Sequence, residues 1–381
     1  MITAAIIHNH PIHYEHLLFQ ELKRQGLRFE VLFTASRSSE RIEPLSLHDD
    51  LYRFRVGFEG PYERHPRLRT WAFVWRSLKE IDPAVVIISG WYDMAAWAAW
   101  LWGALHRRPR VLWAESNRFD RPRPFYKELP KRLFVSGCDY AHVYGTMSGA
   151  YTAFLGMPSH RIVTKQAVAD VRRFLDARPA EPRKPACNVL LYVGRFSREK
   201  NLPFLVRAFA ALHQDRAAPR IVLALVGYGP LEGELRQLAA DLHIGDLIQF
   251  WGPALQEELP HLYRKADVFI LPSVSETWGL VVLEAMLSGL PVLVSEQCGC
   301  ACDVVNPETG WTFSPFDQAQ LTALLDKVSR IPRSTLESMG KAALEVASVY
   351  SPENCARIVI ASVNAALQGE HDGSRGGATN T

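Results

Sequence analysis

Residues 275–295 read SETWGLVVLEAMLSGLPVLVS. Gly289 and Pro291 stop a helical run and lead at once into the apolar stretch Val292–Ser295, the pattern of a helix feeding a buried strand. Another such strand, Val268–Leu271, precedes it, so the segment is a strand–loop–helix–strand unit of a parallel α/β sheet. Glu276 stands before the expected first turn and Glu284 inside the helix, with Ser275 or Thr277 able to cap it. Gly279 lets the backbone pass close to a phosphate. Backbone N–H groups at a helix start favour anions, and carboxylates accept from hydroxyls, a combination that suits a sugar nucleotide. Compensation of the helix dipole explains either glutamate taken singly.

Working outward, the second half repeats the pattern with strand-like runs at Asn188–Val193, Ile221–Val226 and Leu247–Trp251. The first half does so at Ala4–Ile7, Phe29–Phe33, Ala84–Ser89 and Arg110–Ala114. Tyr14–Gln25 reads as a helix closed by Gly26, and Asp139–Tyr144 leads through Gly145 and Ser148 into a helix ending near Gly156. At 381 residues the chain exceeds one compact core. The expected fold class is therefore α/β, with two Rossmann-like domains facing across a cleft that holds the ligand. The expected boundaries are an N-terminal acceptor-binding domain at 1–170, a linker at 171–187 containing DARPAEPRKP, and a C-terminal nucleotide-sugar domain at 188–349. A helix at 350–368 is expected to pack back on the first domain, and the polar, Gly-rich 369–381 to be a disordered tail.

A formal charge of +3 and a pI near 8.5 are too mild for nucleic-acid binding. The charge is uneven, however: from Arg107 to Arg132 nine Lys and Arg face only Glu115, Asp120 and Glu128. This stretch is either an ordinary solvated face or a site for an anionic acceptor or a membrane surface. No charged segment precedes the strand-like run at the start, and Met94–Leu105 is too short to span a bilayer, so a cytoplasmic protein, peripheral at most to the inner face of a membrane, is expected. Six cysteines fit a reducing compartment. Cys298, Cys300 and Cys302 are too closely spaced for the usual zinc pairs, and His8, His10, His13 and His16 suit a substrate loop better than a metal.

Further polar and glycine positions fall at strand ends. Gly194 and Arg195 close one strand and Lys200 follows, a fork and a point charge able to clamp a diphosphate. Gly227 and Gly229 flank Tyr228 after the next strand, and Gly252 ends a third. A complete dinucleotide fingerprint is missing, which argues against NAD.

Taken together, residues 188–315 resemble the donor half of retaining glycosyltransferases of the GT-B type, family 4-like (glycosyl transferases group 1). The resemblance implies that Glu276 contacts the transferred sugar and Glu284 the ribose. It also implies that the backbone at Trp278, Gly279 and Leu280 holds the phosphates, with Gly194 and Gly227 lining the donor site and Gly252 near the base. Arg195 and Lys200 would neutralise the leaving diphosphate, a phosphate oxygen would take the acceptor proton, and no metal or cofactor beyond the nucleotide-diphosphate sugar would be needed. Trp278 stands where the family usually has Phe, and Cys298-Gly299-Cys300-Ala301-Cys302 replaces a Gly-rich turn. In the first half, His8–Tyr14 occupies the place of a Gly-Gly loop, and Glu115-Ser116-Asn117 a place where relatives often present His. His10, His13, Glu115 and Asn117 are the acceptor candidates. The expected activity is sugar transfer in cell-surface glycan or glycoconjugate biosynthesis, to a saccharide, lipid-linked or small-molecule acceptor. The alternatives are a sugar-nucleotide 2-epimerase of the same fold and a non-catalytic sugar-nucleotide or glycan-binding subunit.

Overall fold

A computed structural model describes residues 4–39, 51–119, 125–165, 167–176, 188–214 and 221–368. Most of the expected linker, the tail at 369–381 and part of the basic stretch (120–124) lie outside these residues. The chain forms two compact units. One comprises Met1–Ser116, Arg123–Val168 and Pro352–Thr381, and the other Asn117–Pro122 and Ala169–Ser351.

The first unit is a parallel sheet of strands β1 (Ala4–His8), β2 (Phe29–Phe33), β3 (Arg53–Val56), β4 (Val85–Ser89), β5 (Arg110–Ala114), β6 (Tyr140–Tyr144) and β7 (Ile162–Lys165), in the order β3-β2-β1-β4-β5-β6-β7. The central strands are buried along nearly their whole length, as continuous Val/Ile runs in a doubly covered parallel sheet must be. Ile7, Leu32, Val86, Ile88 and Leu112 pack against Val74 and Leu78 of helix Arg67–Ile81 and Ala95, Ala99 and Trp102 of helix Met94–Leu105. Met94–Leu105 is thus a core helix. Among the described residues no helix is long and apolar enough to cross a membrane. Helix Pro352–Gln368 belongs to this unit, lies against helix His13–Arg24 and buries Cys355, Val359 and Val363.

The second unit carries β8 (Asn188–Val193), β9 (Ile221–Val226), β10 (Ile248–Gly252), β11 (Val268–Leu271), β12 (Val292–Ser295) and β13 (Gly310–Phe313), in the order β10-β9-β8-β11-β12-β13, again all parallel. Leu191, Phe209, Leu223, Ile270, Leu283, Met286 and Leu293 are fully buried in it. Each sheet reverses its strand order once, between β1 and β4 in the first and between β8 and β11 in the second. Loops leaving neighbouring strands toward opposite faces open a crevice at the carboxyl ends there, which is where open α/β sheets bind ligands. The loops after β8 and β11 contain Gly194–Lys200 and Pro272–Gly279.

Candidate functional site

Three glycines shape the carboxyl edge of the second sheet. Gly194, Gly227 and Gly252 follow or end the adjacent strands β8, β9 and β10, and all have positive φ. The Gly194 N–H donates to Val226 O at 3.0 Å, and the Gly227 N–H to Gly252 O at 2.8 Å. A Cβ on Gly227 would stand 1.9 Å from Gly194 O. These glycines therefore let one loop backbone press against the next, which fixes the floor of the crevice.

After Gly194 the chain makes a short 3-10 turn, Arg198–Lys200, that ends in Asn201 with left-handed backbone. The turn aims Lys200 across the strand-order reversal, where its ammonium forms an ion pair and hydrogen bond with the Glu276 carboxylate. Both side chains are largely withdrawn from water, at 16% and 15% exposure. The Val274 N–H donates to Glu199 O at 2.9 Å and ties the two loops together. Arg195 is more open and lies 3.5 Å from Glu199. Burial pushes the Glu199 carboxyl up, but the Ser197 hydroxyl, its own backbone N–H, Arg195 and Lys200 outweigh that and hold it below the usual range.

The loop bearing Glu276 is held from both sides. The Gly299 N–H donates to Glu276 O at 3.1 Å and the Cys300 N–H to Trp278 O at 2.9 Å. The Asn117 amide donates to Glu276 O at 2.9 Å and to Thr277 O at 3.2 Å. A Cβ on Gly299 would come within 1.9 Å of Thr277 O. The Cys-Gly-Cys turn is thus a backbone brace, with Cys298 and Cys300 fully buried and their thiols pushed well above the usual range by that burial. Among the described residues no three His, Cys, Asp or Glu gather as a metal site.

Helix Leu280–Leu287 begins at Gly279, whose left-handed backbone (φ 101°) makes it the N-cap, and no side chain caps the helix. This corrects the expected capping by Ser275 or Thr277: the helix starts later, and the loop carbonyls at Glu276 and Thr277 are engaged by Asn117. The first N–H groups of a helix favour anions, and the start of this one stands close to Glu276, whose Cγ lies 3.4 Å from where a Cβ on Gly279 would be. Gly279 is packed closely as well, since a Cβ there would lie 3.3 Å from the Cys300 sulfur. Trp278 turns inward, 4% exposed, with its ring 5.9 Å from that of Tyr350. Its indole N–H finds no acceptor among the described residues. The Trp278 side chain therefore belongs to the interior of the second unit.

Glu284 lies on the same helix and accepts from the Tyr263 hydroxyl at 2.9 Å. Part of its side chain reaches the surface, but its carboxylate is enclosed by protein, and the enclosure of the charged atoms decides its titration. Burial pushes the carboxyl up to about 7, against the opposing effects of Tyr263 and Arg173. Tyr263 is fully buried, and its hydroxyl is pushed well above the usual range. Sequence reasoning missed this partner, because its place opposite Glu284 depends on how helix Leu259–Tyr263 packs.

In the first unit, His10 follows β1 and stacks on Tyr62 with ring centroids 5.3 Å apart, while its carbonyl is in contact with His8 Nδ1 at 3.0 Å. His13 opens helix His13–Arg24 and is partly exposed. Glu115 follows β5 and is exposed. All three sit at the carboxyl edge of that sheet. Asn117, expected among the acceptor contacts, groups instead with the second unit, is fully buried and serves the Glu276 loop. Also unforeseen is the buried Glu15, which accepts a hydrogen bond from the Tyr144 hydroxyl.

Residues 175–346 match the family model described as glycosyl transferases group 1. The D-inositol 3-phosphate glycosyltransferase of Frankia alni is 36% identical over 246 residues, 59% of each chain. Its namesake in Nocardia farcinica is 30% identical over 305 residues, 76% of this chain and 66% of that protein. The chain thus spans 59% to 66% of the length of these curated relatives. Among solved structures, Anabaena HepE in complex with UDP superposes with a TM-score of 0.74 at 16% identity, covering 96% of this chain and 100% of that one. Sucrose-phosphate synthase from Thermosynechococcus elongatus does so with 0.71 at 20% identity, covering 97% and 100%. Both likenesses concern the fold, which is that of GT-B enzymes. Residues 175–346 are thus a segment of the glycosyl transferases group 1 type.

Proposed function

We propose that this chain is a retaining, metal-independent glycosyltransferase that moves a sugar from a nucleotide-diphosphate donor to an acceptor hydroxyl, in cytoplasmic steps of cell-surface glycan or glycoconjugate synthesis. The observation that carries the reading is the Lys200–Glu276 pair at the strand-order reversal, just before a helix N-terminus that no side chain caps. A diphosphate placed at that N-terminus would meet the N–H groups of Gly279 and Leu280, with Lys200 and Arg195 supplying positive charge. Glu276 would accept from hydroxyls of the sugar, Glu284 from those of the ribose, and the backbone at Gly252 would meet the base.

The acceptor oxygen bonds to the anomeric carbon on the face from which the diphosphate departs. As the carbon–oxygen bond to the diphosphate breaks, a phosphate oxygen takes the acceptor proton, so no side-chain base is required. The protein's contribution is placement and electrostatic stabilisation of the leaving group. His10, His13 and Glu115 are proposed for the acceptor. The relatives named for D-inositol 3-phosphate make a small phosphorylated polyol worth trying beside saccharide and lipid-linked acceptors.

The test is a thermal-shift series of nucleotide sugars, because a ligand that binds the native state raises the melting temperature according to RT ln(1 + [L]/Kd). Nuclear magnetic resonance of the product formed from the stabilising donor then reads the anomeric configuration. Selective stabilisation by one donor and a retained configuration are expected. An inverted product, or no stabilisation by any nucleotide sugar, contradicts the reading.

A further inference from the structure

Helix Phe125–Ser136 leaves an unusual face open. Tyr126, Leu129 and Leu133, at helical spacing, are 61%, 56% and 58% exposed, and Phe154 beside them is 59% exposed. A soluble helix ordinarily turns such a stripe inward. This one cannot roll to do so, because its opposite face is pinned. Phe134 and Val135 are fully buried, and Glu128 accepts from Lys131 at 2.8 Å and from the Tyr151 hydroxyl at 2.5 Å. The only acidic residue of the helix is thereby turned inward and paired, while Lys127 and Arg132 remain on the outside. The Arg132 guanidinium lies 5.1 Å from the Phe154 ring centre and donates to Phe154 O at 3.3 Å, which joins the charge to the apolar stripe.

We propose that this face docks the first unit on a bilayer surface bearing anionic headgroups, with Tyr126, Leu129, Leu133 and Phe154 entering the interface and Lys127 and Arg132 meeting phosphates. Charge complementarity selects this occupant. Among the described residues of the helix, the outward face has two cations and no carboxylate, and with Phe154 it presents four large apolar side chains, the makeup of a helix lying in the plane of a membrane. Twelve residues are too few to span one, so the contact is peripheral. The proposal does not depend on the chemistry of the second unit.

The experiment is flotation of the full chain with phosphatidylcholine vesicles, with and without phosphatidylglycerol. The chain is expected to float with the mixed vesicles and to stay behind with phosphatidylcholine alone. The double variant Leu129→Ser, Leu133→Ser is expected to float about tenfold less well, with an unchanged melting temperature because both side chains are exposed. Lys127→Glu with Arg132→Glu is expected to weaken binding further at low salt than at high salt. Failure of the wild type to float with anionic vesicles overturns the proposal, as does undiminished flotation of the leucine variant. A wild type that sediments as a dimer and a leucine variant that sediments as a monomer, with equal flotation, would assign the face to a second copy and also overturn it.

Discussion

The Tyr263 hydroxyl donates to the Glu284 carboxylate at 2.9 Å inside the second unit, and the Glu284 carboxyl is pushed up to about 7 by burial. Its ordinary value is 4.5, so the folded state holds a proton that the unfolded state releases between pH 4.5 and pH 7. Stability from this group is fully present below pH 4.5 and falls as pH rises toward 7, by about 3 kcal/mol in all. Glu284→Gln removes that slope while keeping an acceptor for Tyr263. Urea denaturation across this range is expected to show a flatter profile for the variant than for the wild type, with the variant the more stable above pH 7.

The same pair has a consequence for binding. If Glu284 accepts from ribose hydroxyls, its carboxylate form binds the nucleotide better, and nucleoside diphosphate affinity rises with pH through about 7. Calorimetric titration with UDP is expected to show that rise in the wild type and to lose it in Glu284→Gln. An affinity that is level in the wild type contradicts the ribose role.

Asn117 holds two carbonyls of the acidic loop, and its own side chain is fully buried. Asn117→Ala leaves both carbonyls short of a donor, at a cost of about 1–3 kcal/mol. Because the loop carries Glu276, the donor KM is expected to rise several-fold more than kcat falls. A loss confined to stability, with both kinetic constants unchanged, would give Asn117 a merely structural part.

Gly227 and Gly299 probe the close backbone approaches. An added Cβ would meet Gly194 O or Thr277 O at 1.9 Å, so either Gly→Ala change forces the loops apart. Each is expected to cost about 3 kcal/mol or more and to lower the melting temperature accordingly. Wild-type melting in Gly299→Ala would mean that the turn yields easily and does not brace the acidic loop.

The alternation of apolar runs with helical patterns carries most of the fold, since Val85–Ser89, Arg110–Ala114 and Ile221–Val226 are buried strands whose composition declares them. Less legible were β3, β7 and β13, all short and all at or next to a sheet edge, and Arg53-Phe54-Arg55-Val56 offers only a weak alternation. Helix Arg67–Ile81 also went unread. Within the site, the spacing of Gly194, Lys200, Glu276 and Gly279 was visible because all four lie at strand or helix ends. Partners set by packing were not. Asn117 is separated by 159 residues from Glu276, and Tyr263 sits on a five-residue helix that no periodicity announces. Helix start was misplaced because Ser275 and Thr277 have capping side chains, whereas left-handed Gly279 begins the helix.

Lys200 is the most direct test of sugar transfer. Its removal leaves Glu276 unpaired and largely shielded from water, so Lys200→Ala is expected to cost about 1–3 kcal/mol of stability, more than a surface lysine would. The decisive measurement is release of nucleoside diphosphate from the stabilising nucleotide sugar in the presence of acceptor, compared between wild type and a folded Lys200→Ala. The account predicts a fall of about 10²–10³ in turnover, because the charge on the leaving diphosphate goes unneutralised. Turnover equal to that of the wild type would contradict it.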